Sequence, residues 1–169
     1  MTVELPVVYL GLGSNLGDRQ RNLGAALRRL EPLVRVEAVS SLYETYPVGP
    51  QDQPGYLNAA CRAVTGLSPQ GLLRHIEEVE RELGRRSGAH MGPRILDIDL
   101  LLYGDAVISE SGLRVPHPEL AKRAFVLTPL AELAGDLQHP ELGKTIGALA
   151  TEMDASGVRK RAGAGWESD

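Results

Sequence analysis

An α+β fold is predicted by three features of the chain. Its hydrophobic residues switch between a period of two and a period near 3.6 along the first 105 residues. Each switch coincides with glycine, proline or a helix-capping residue. The resulting order, β-α-β-β-α-β, is one that folds an antiparallel sheet against helices.

The elements follow in order. "VVYLGLG" (7–13) is a short apolar run ended by glycines and predicts a first strand. "DRQRNLGAALRRLEPL" places Leu23, Leu27 and Leu30 at helical spacing, with Asp18 as cap and Pro32 as stop. "VRVEAVSSLYETYP" (34–47) is β-branched and partly alternating, a second strand. "VGPQDQPGY" is punctuated and aperiodic, hence a loop, and "YLNAACRAVTG" (56–66) is a third strand. "SPQGLLRHIEEVERELG" offers Ser68 as N-cap and Pro69 at the first helical position. Leu72, Leu73, Ile76, Val79 and Leu83 form its apolar stripe, and Gly84 stops it. After the polar "RRSGAHMGP" comes a fourth strand in "GPRILDIDLLLYGD" (92–105).

This is the ferredoxin-like pattern: a four-stranded antiparallel sheet with helices on one face. Residues beyond it add a short extended piece and a helix around 122–134, a C-terminal helical extension. Residues 1–155 are expected to form a single domain. Residues 156–169, which include the sole tryptophan, Trp166, lack a core-forming pattern and are expected to be a mobile tail.

The totals narrow the function classes. A chain of 169 residues with 43% hydrophobic and 24% charged residues is ordinary globular material. A net charge of −4 gives no bulk grip on nucleic acid or an anionic membrane. The lone cysteine, Cys61, sits in the apolar "LNAACRAV" and reads as a small buried hydrophobe. No run is long enough to span a bilayer, and "MTVELPVVYLGLG" lacks a basic n-region, so the expectation is a soluble cytoplasmic protein.

Chemistry concentrates in the fourth strand. Strict alternation puts Leu96, Ile98, Leu100 and Leu102 on one face and Ile95, Asp97, Asp99, Leu101 and Tyr103 on the other. Both faces are largely apolar, as in a central strand covered on each side. Two carboxylates about 7 Å apart on one face repel each other, and a hard divalent cation removes that conflict. Mg²⁺ takes one or two protein carboxylates and fills its octahedron with water and phosphate oxygens. The alternative is two solvated aspartates on an exposed face.

Other residues are read in the same way. Arg94, with Arg85 and Arg86 across a glycine-punctuated segment, either neutralises phosphate oxygens or pairs with surface glutamates. "GLGSNLG" (11–17) spaces its third glycine one position too late for a dinucleotide fingerprint, and no P-loop occurs. Its glycines instead suit a tight turn and close backbone approach at the rim of a pocket. His75, His90, His117 and His139 show no zinc-ligand spacing. His117, between two prolines in "VPHPELAKRAF", is rigidly placed for a ligand contact or for a plain turn.

Four segments in this order, "GLGSNLGD", "SSLYETYPVGPQDQPGYLNAA", "GPRILDIDLLLYG" and "VPHPELAKRAFVLTPL", resemble the 6-hydroxymethyl-7,8-dihydropterin pyrophosphokinase family of folate biosynthesis up to about residue 150. The resemblance implies Mg²⁺-dependent transfer of pyrophosphate from ATP to the hydroxymethyl group of a reduced pterin, releasing AMP. It implies that Asp97 and Asp99 hold two Mg²⁺ ions, and that Arg85 and Arg94 act with them. The pterin pocket it implies uses Thr45, Tyr46, Val48, Tyr56, Asn58 and Phe125. ATP is expected to meet Glu77, Arg85, Arg94, Leu100, His117 and Arg123, with Glu80 near the substrates. Segments 47–56 and 85–94 are expected to act as lids. No obligatory general base is expected, because phosphoryl transfer is mostly positioning and charge neutralisation.

The lid departs from the family pattern. "HMGPR" stands where Arg-Trp-Gly-Pro-Arg is common, so His90 replaces an arginine and Met91 a tryptophan. Ser87 lies near the place of another lid arginine, with Arg86 beside it. The expected consequence is slower chemistry or looser pterin binding. Two rival readings are a non-catalytic ferredoxin-like module, such as an RNA binder, and a different ATP-dependent group transferase with the same metal site. The RNA binder is disfavoured by a single phenylalanine, negative charge and acids on the fourth strand. The expected partners are small molecules, with no nucleic acid or membrane, and the expected state is a monomer.

Overall fold

The computed structural model describes residues 4–45, 55–84 and 95–168. The fold is α+β, with an antiparallel sheet and four α-helices among the described residues. Strand β1 (Val7–Ser14) leads into helix α1 (Arg19–Leu30), whose first turn is held by the Asp18 carboxylate accepting from the Arg21 N–H at 3.2 Å. Strands β2 (Val34–Val39), β3 (Leu42–Thr45) and β4 (Tyr56–Thr65) follow, then helix α2 (Pro69–Leu83). Ser68 Oγ accepts from the Gly71 N–H at 3.0 Å, and Pro69 occupies the first turn, as the sequence predicts. Gly84 ends α2 at φ 141°, where an added Cβ would lie 2.7 Å from Ile95, so a side chain is excluded twice over.

Strand β5 (Asp97–Tyr103) carries the aspartates. A small hairpin of β6 (Ile108–Glu110) and β7 (Leu113–Val115) precedes helices α3 (Ala124–Ala134) and α4 (Ile146–Glu152). The chain closes with β8 (Val158–Ala162) and a 3₁₀ turn at Trp166–Ser168. The main sheet runs β5-β1-β4-β3-β8, with β2 also paired to β4.

Two apolar layers flank this sheet. Val8, Leu10 and Leu12 of β1 pack with Leu23, Leu27 and Leu30 of α1 and Leu72, Ile76 and Val79 of α2. On the opposite face Tyr9, Leu101 and Leu102 pack with Leu120, Leu127, Leu130, Ile146 and Leu149. Helices therefore cover both faces, not one as the sequence suggested. The C-terminal extension supplies the second layer.

Four further expectations are corrected. The predicted second strand is broken into β2 and β3, because the Ser40 hydroxyl enters the ladder itself. Ser40 Oγ donates to the Ser41 carbonyl and accepts from the Ala60 N–H, both at 2.8 Å. Strand β5 is at the end of the sheet rather than its centre; it is apolar on both sides because both layers reach it.

Strict alternation also fails within β5. Leu10 pairs with Leu100 but Tyr9 pairs with Leu102, so Leu101 is an extra residue, a β-bulge. Upstream of it, Asp97 and Asp99 share the face of Leu101. Downstream, Leu102 joins that face, and Tyr103 turns to the first layer, where its hydroxyl donates to the Leu67 carbonyl at 2.7 Å. Gly11 leaves the space: a Cβ there would sit 3.4 Å from the Leu101 side chain.

Finally, the segment expected to be a mobile tail is docked. Strand β8 pairs with β3, Thr45 opposite Val158 and Leu42 opposite Ala162. Trp166 is 3% exposed, and its indole N–H donates to the Ser40 carbonyl at 2.8 Å. Backbone hydrogen bonds of an edge strand, plus one buried aromatic ring, hold a segment that has no apolar repeat.

Candidate active site

On the second face of the sheet, odd-numbered β1 positions are Tyr9, Gly11 and Gly13. The two glycines leave a gap in the layer that Tyr9 helps to fill. That gap opens a cavity of about 500 Å³, a size suited to a small organic ligand. It lies across the strands. Asp97 and Asp99 line one end, Gly11 and Gly13 the floor, and Thr45, Tyr56 and Asn58 the middle. Arg123, Ala124 and Phe125 at the start of α3 roof it, and Asp154, Gly157 and Val158 line the far end.

The acids are placed by pairing. Asp99 stands opposite Gly11 and Asp97 opposite Gly13, so each carboxylate is flanked by a residue with no side chain. Both are half-exposed, the Asp99 side chain at 49%. Between them, the Ile98 N–H points off the open edge of the sheet and is taken by the Glu80 carboxylate at 3.0 Å. Glu80 is 4% exposed. It acts from below the strand, holding the backbone that carries both acids, and does not line the cavity.

His117 reaches the same end. Its backbone N–H donates to the Leu101 carbonyl at 3.0 Å, tying the loop to the bulge. Its Nδ1 accepts from the Glu119 N–H at 3.1 Å, which leaves the proton on Nε2. That Nε2 lies 3.8 Å from Asp99 Oδ1. Arg123 is held by Glu119, 3.8 Å away, and stands 5.7 Å from the centre of the Phe125 ring.

Asn58 Nδ2 donates to Thr45 Oγ1 at 2.9 Å, fixing the amide so that Oδ1 lies over Gly13. An acceptor is thus presented to the cavity from an otherwise buried side chain. One layer below, Arg19 donates to both Glu44 and the Gly55 carbonyl at 2.6 Å, and Arg161 donates to the other Glu44 oxygen at 3.1 Å. This cluster fixes Thr45 and Gly55, where the 46–54 segment departs and returns. On the roof side, Tyr43 donates to Glu132; burial first, then that carboxylate, pushes the phenol well above its usual range.

The sequence-predicted residues divide clearly. Thr45, Tyr56, Asn58, Asp97, Asp99, Arg123 and Phe125 meet at the cavity. His117 stands beside Asp99 without lining it. Leu100 is 5% exposed in the first core layer, and Glu77 is on the exposed side of α2; neither lines the cavity. Tyr46, Val48, Arg85, Arg94 and Met91 lie outside the described residues, as do Arg86, Ser87 and His90. Sequence reasoning missed the far wall of Asp154, Gly157 and Val158, and treated Gly11 and Gly13 as rim rather than floor.

The donors suit a hard cation. Two carboxylates on one face, with open floor beside them, leave most coordination positions to water and phosphate, as Mg²⁺ prefers. Among the described residues no group of three or more His, Cys, Asp or Glu side chains gathers as a self-sufficient metal cage. Among them, too, no helix is long and apolar enough to cross a membrane.

Residues 9–135 match the family model "7,8-dihydro-6-hydroxymethylpterin-pyrophosphokinase (HPPK)". A 2-amino-4-hydroxy-6-hydroxymethyldihydropteridine pyrophosphokinase of Aquifex aeolicus is 45% identical over 136 residues, 80% of this chain and 85% of that protein. The protein of the same name from Pseudomonas aeruginosa is 41% identical over 159 residues, 93% of this chain and 98% of its own. Wild-type HPPK-DHPS of Plasmodium falciparum superposes with a TM-score of 0.71 at 16% identity. It covers 88% of this chain, which spans 45% of the longer protein, and the likeness is one of fold.

Proposed function

Because the chain belongs to the 7,8-dihydro-6-hydroxymethylpterin-pyrophosphokinase family, enzymes of folate biosynthesis that use ATP and Mg²⁺, we propose that the cavity across its sheet is where the transfer occurs. The observation that carries this reading is the pair of carboxylates at one end of a cavity floored by glycine.

Asp97 and Asp99 are the residues that hold Mg²⁺, two ions in the full complex. Bound there, the metal supplies charge neutralisation at the triphosphate and lowers the cost of deprotonating a hydroxyl. The chain's own residues do the positioning. Glu80 fixes the backbone between the acids, and His117 presents its Nε2–H beside Asp99. Arg123, steadied by Glu119 and Phe125, meets phosphate from the roof. Arg85 and Arg94 add positive charge from the 85–94 segment, where Met91 gives soft apolar cover. Glu77 and the Leu100 backbone serve the nucleotide outside the cavity.

The pterin ring lies between Tyr56 and Phe125, with the Asn58 amide and Thr45 reading its polar edge. Tyr46 and Val48 complete that end. Its hydroxymethyl group then faces the aspartates, in line with the β-phosphorus of ATP. The enzyme acts in the cytoplasm as a monomer.

The test is incubation with 6-hydroxymethyl-7,8-dihydropterin, ATP and Mg²⁺, followed by separation of nucleotides. AMP, not ADP, is the expected product. Loss of an outer-sphere partner of a metal costs 10–100-fold, so Asp97→Ala and Asp99→Ala are each expected to cost more than about 100-fold. Near-normal turnover by either folded variant would remove the metal assignment.

A further inference from the structure

The family match ends at residue 135, yet the cavity does not. Its far wall comes from the link between α4 and β8, at the opposite edge of the sheet from the aspartates. Val158 stands opposite Thr45 in the β3–β8 pairing, so this wall closes the end of the cavity assigned above to the pterin. We propose that Asp154–Val158 is the end wall of the pterin subsite and that Asp154 accepts hydrogen bonds from the 2-amino edge of the ring. The inference rests on the reading of the cavity given under the preceding heading.

The chemistry is specific. A 2-amino-4-hydroxydihydropteridine, the ring for which the relatives are named, presents adjacent N–H donors on its pyrimidine edge. An ionised carboxylate is an acceptor with about four lone-pair sites. The Asp154 carboxylate accepts from the Ser156 N–H at 3.0 Å and from the Ser156 hydroxyl, which holds the side chain in a tight turn and leaves its remaining lone pairs for a ligand. Those Ser156 hydrogen bonds also hold its carboxyl below the usual range, so it is charged wherever the enzyme works. Asn58 presents an amide acceptor from the floor, and Asp154 presents a charged one from the end.

The wall is not a loose flap. Behind it β8 is hydrogen-bonded to β3, Arg161 is held by Glu44, and the Trp166 indole is bonded to Ser40. Arg19 shares the same Glu44 and grips Gly55, so the end wall and the root of the 46–54 segment are fixed by one cluster. Gly157 and Val158 add a non-polar stop beside the carboxylate, limiting how far the ring advances.

The experiment compares Asp154→Asn and Asp154→Ala with the unaltered chain. Pterin affinity is measured by the ring's own fluorescence with a nonhydrolysable ATP analogue and Mg²⁺ present. Affinity for the analogue is measured separately. Asp154→Ala is expected to weaken pterin binding at least 10-fold and to leave the analogue within twofold, with KM for pterin raised more than kcat is lowered. Asp154→Asn, which keeps an oxygen for Ser156 but loses the charge, is expected to fall between. Arg159→Ala, at an exposed position of β8 just beyond this link, is expected to match the unaltered chain. Unchanged pterin affinity in Asp154→Ala overturns the proposal, as does an equal loss for both ligands together with a lower melting temperature. If the unaltered chain forms AMP while Asp154→Ala is indistinguishable from it, this inference alone fails. If the unaltered chain forms none, the reading of the cavity fails and takes this inference with it.

Discussion

Replacing Trp166 by alanine is expected to undock the C-terminal segment. The indole is 3% exposed and belongs to the first core layer, and Trp→Ala at such a site costs about 3–5 kcal/mol. Part of that loss is the hydrogen bond to Ser40, about 1 kcal/mol, which Trp166→Phe would isolate. For a chain of 169 residues, each kcal/mol lowers the melting temperature by about 2–4 °C, so a fall of about 6–20 °C is expected for alanine. The loss cannot exceed the free energy that docks residues 156–168, because beyond it the tail frays while the rest stays folded. Urea titration followed by far-ultraviolet circular dichroism gives the global cost. Since Trp166 is the sole tryptophan, the emission of the unaltered protein reports its surroundings without labelling. A blue-shifted band that moves red before the main transition is expected. An emission maximum typical of indole in water, or an alanine variant less than about 1 kcal/mol below the parent, would refute docking.

Two further outcomes follow from individual side chains. Glu80→Ala leaves the Ile98 N–H without its carboxylate and is expected to cost about 1–3 kcal/mol in urea titration while raising the Mg²⁺ concentration needed for half-maximal AMP formation; Glu80→Gln is expected to recover much of the stability. His139 is buried with Nδ1 accepting from the Glu141 and Leu142 N–H groups, and burial, opposed in part by Glu141, lowers its pKa below the ordinary 6.5. The unfolded chain therefore binds the extra proton first, so the stability His139 contributes is complete above about pH 6.5 and declines as pH falls. His139→Asn is expected to remove that decline between pH 6.5 and the lowered value, as read from urea midpoints at stepped pH.

Much of the site was legible because its signals are local. Ser68 and Pro69 announce α2 through capping chemistry alone, and the apolar stripe from Leu72 to Val79 fixes the buried face. Asp97 and Asp99 share a face by alternation over two residues, and the bulge at Leu101 comes after them. What was not legible depends on pairing at long range. The phase change that sends Tyr103 to the other layer needs the space above Gly11, which belongs to another strand. Strand β8 carries Arg159, Lys160 and Arg161 in a row, because an edge strand exposed on one side has no reason to alternate cleanly. Asp154 joins the site only once that strand pairs with β3. Ser40 looks like one more strand residue until its hydroxyl is seen taking a backbone's place in the ladder.

A binding trench that crosses strands at right angles inherits its ruler from the backbone. Neighbouring strands keep about 4.8 Å between them whatever their side chains, so the four steps from β5 to β8 set about 19 Å from acid pair to end wall. Side-chain replacement can alter what each station along that ruler recognises, yet it barely alters how far apart the stations are. Selectivity and reach are therefore separately adjustable here, and changing reach would require adding or removing a whole strand.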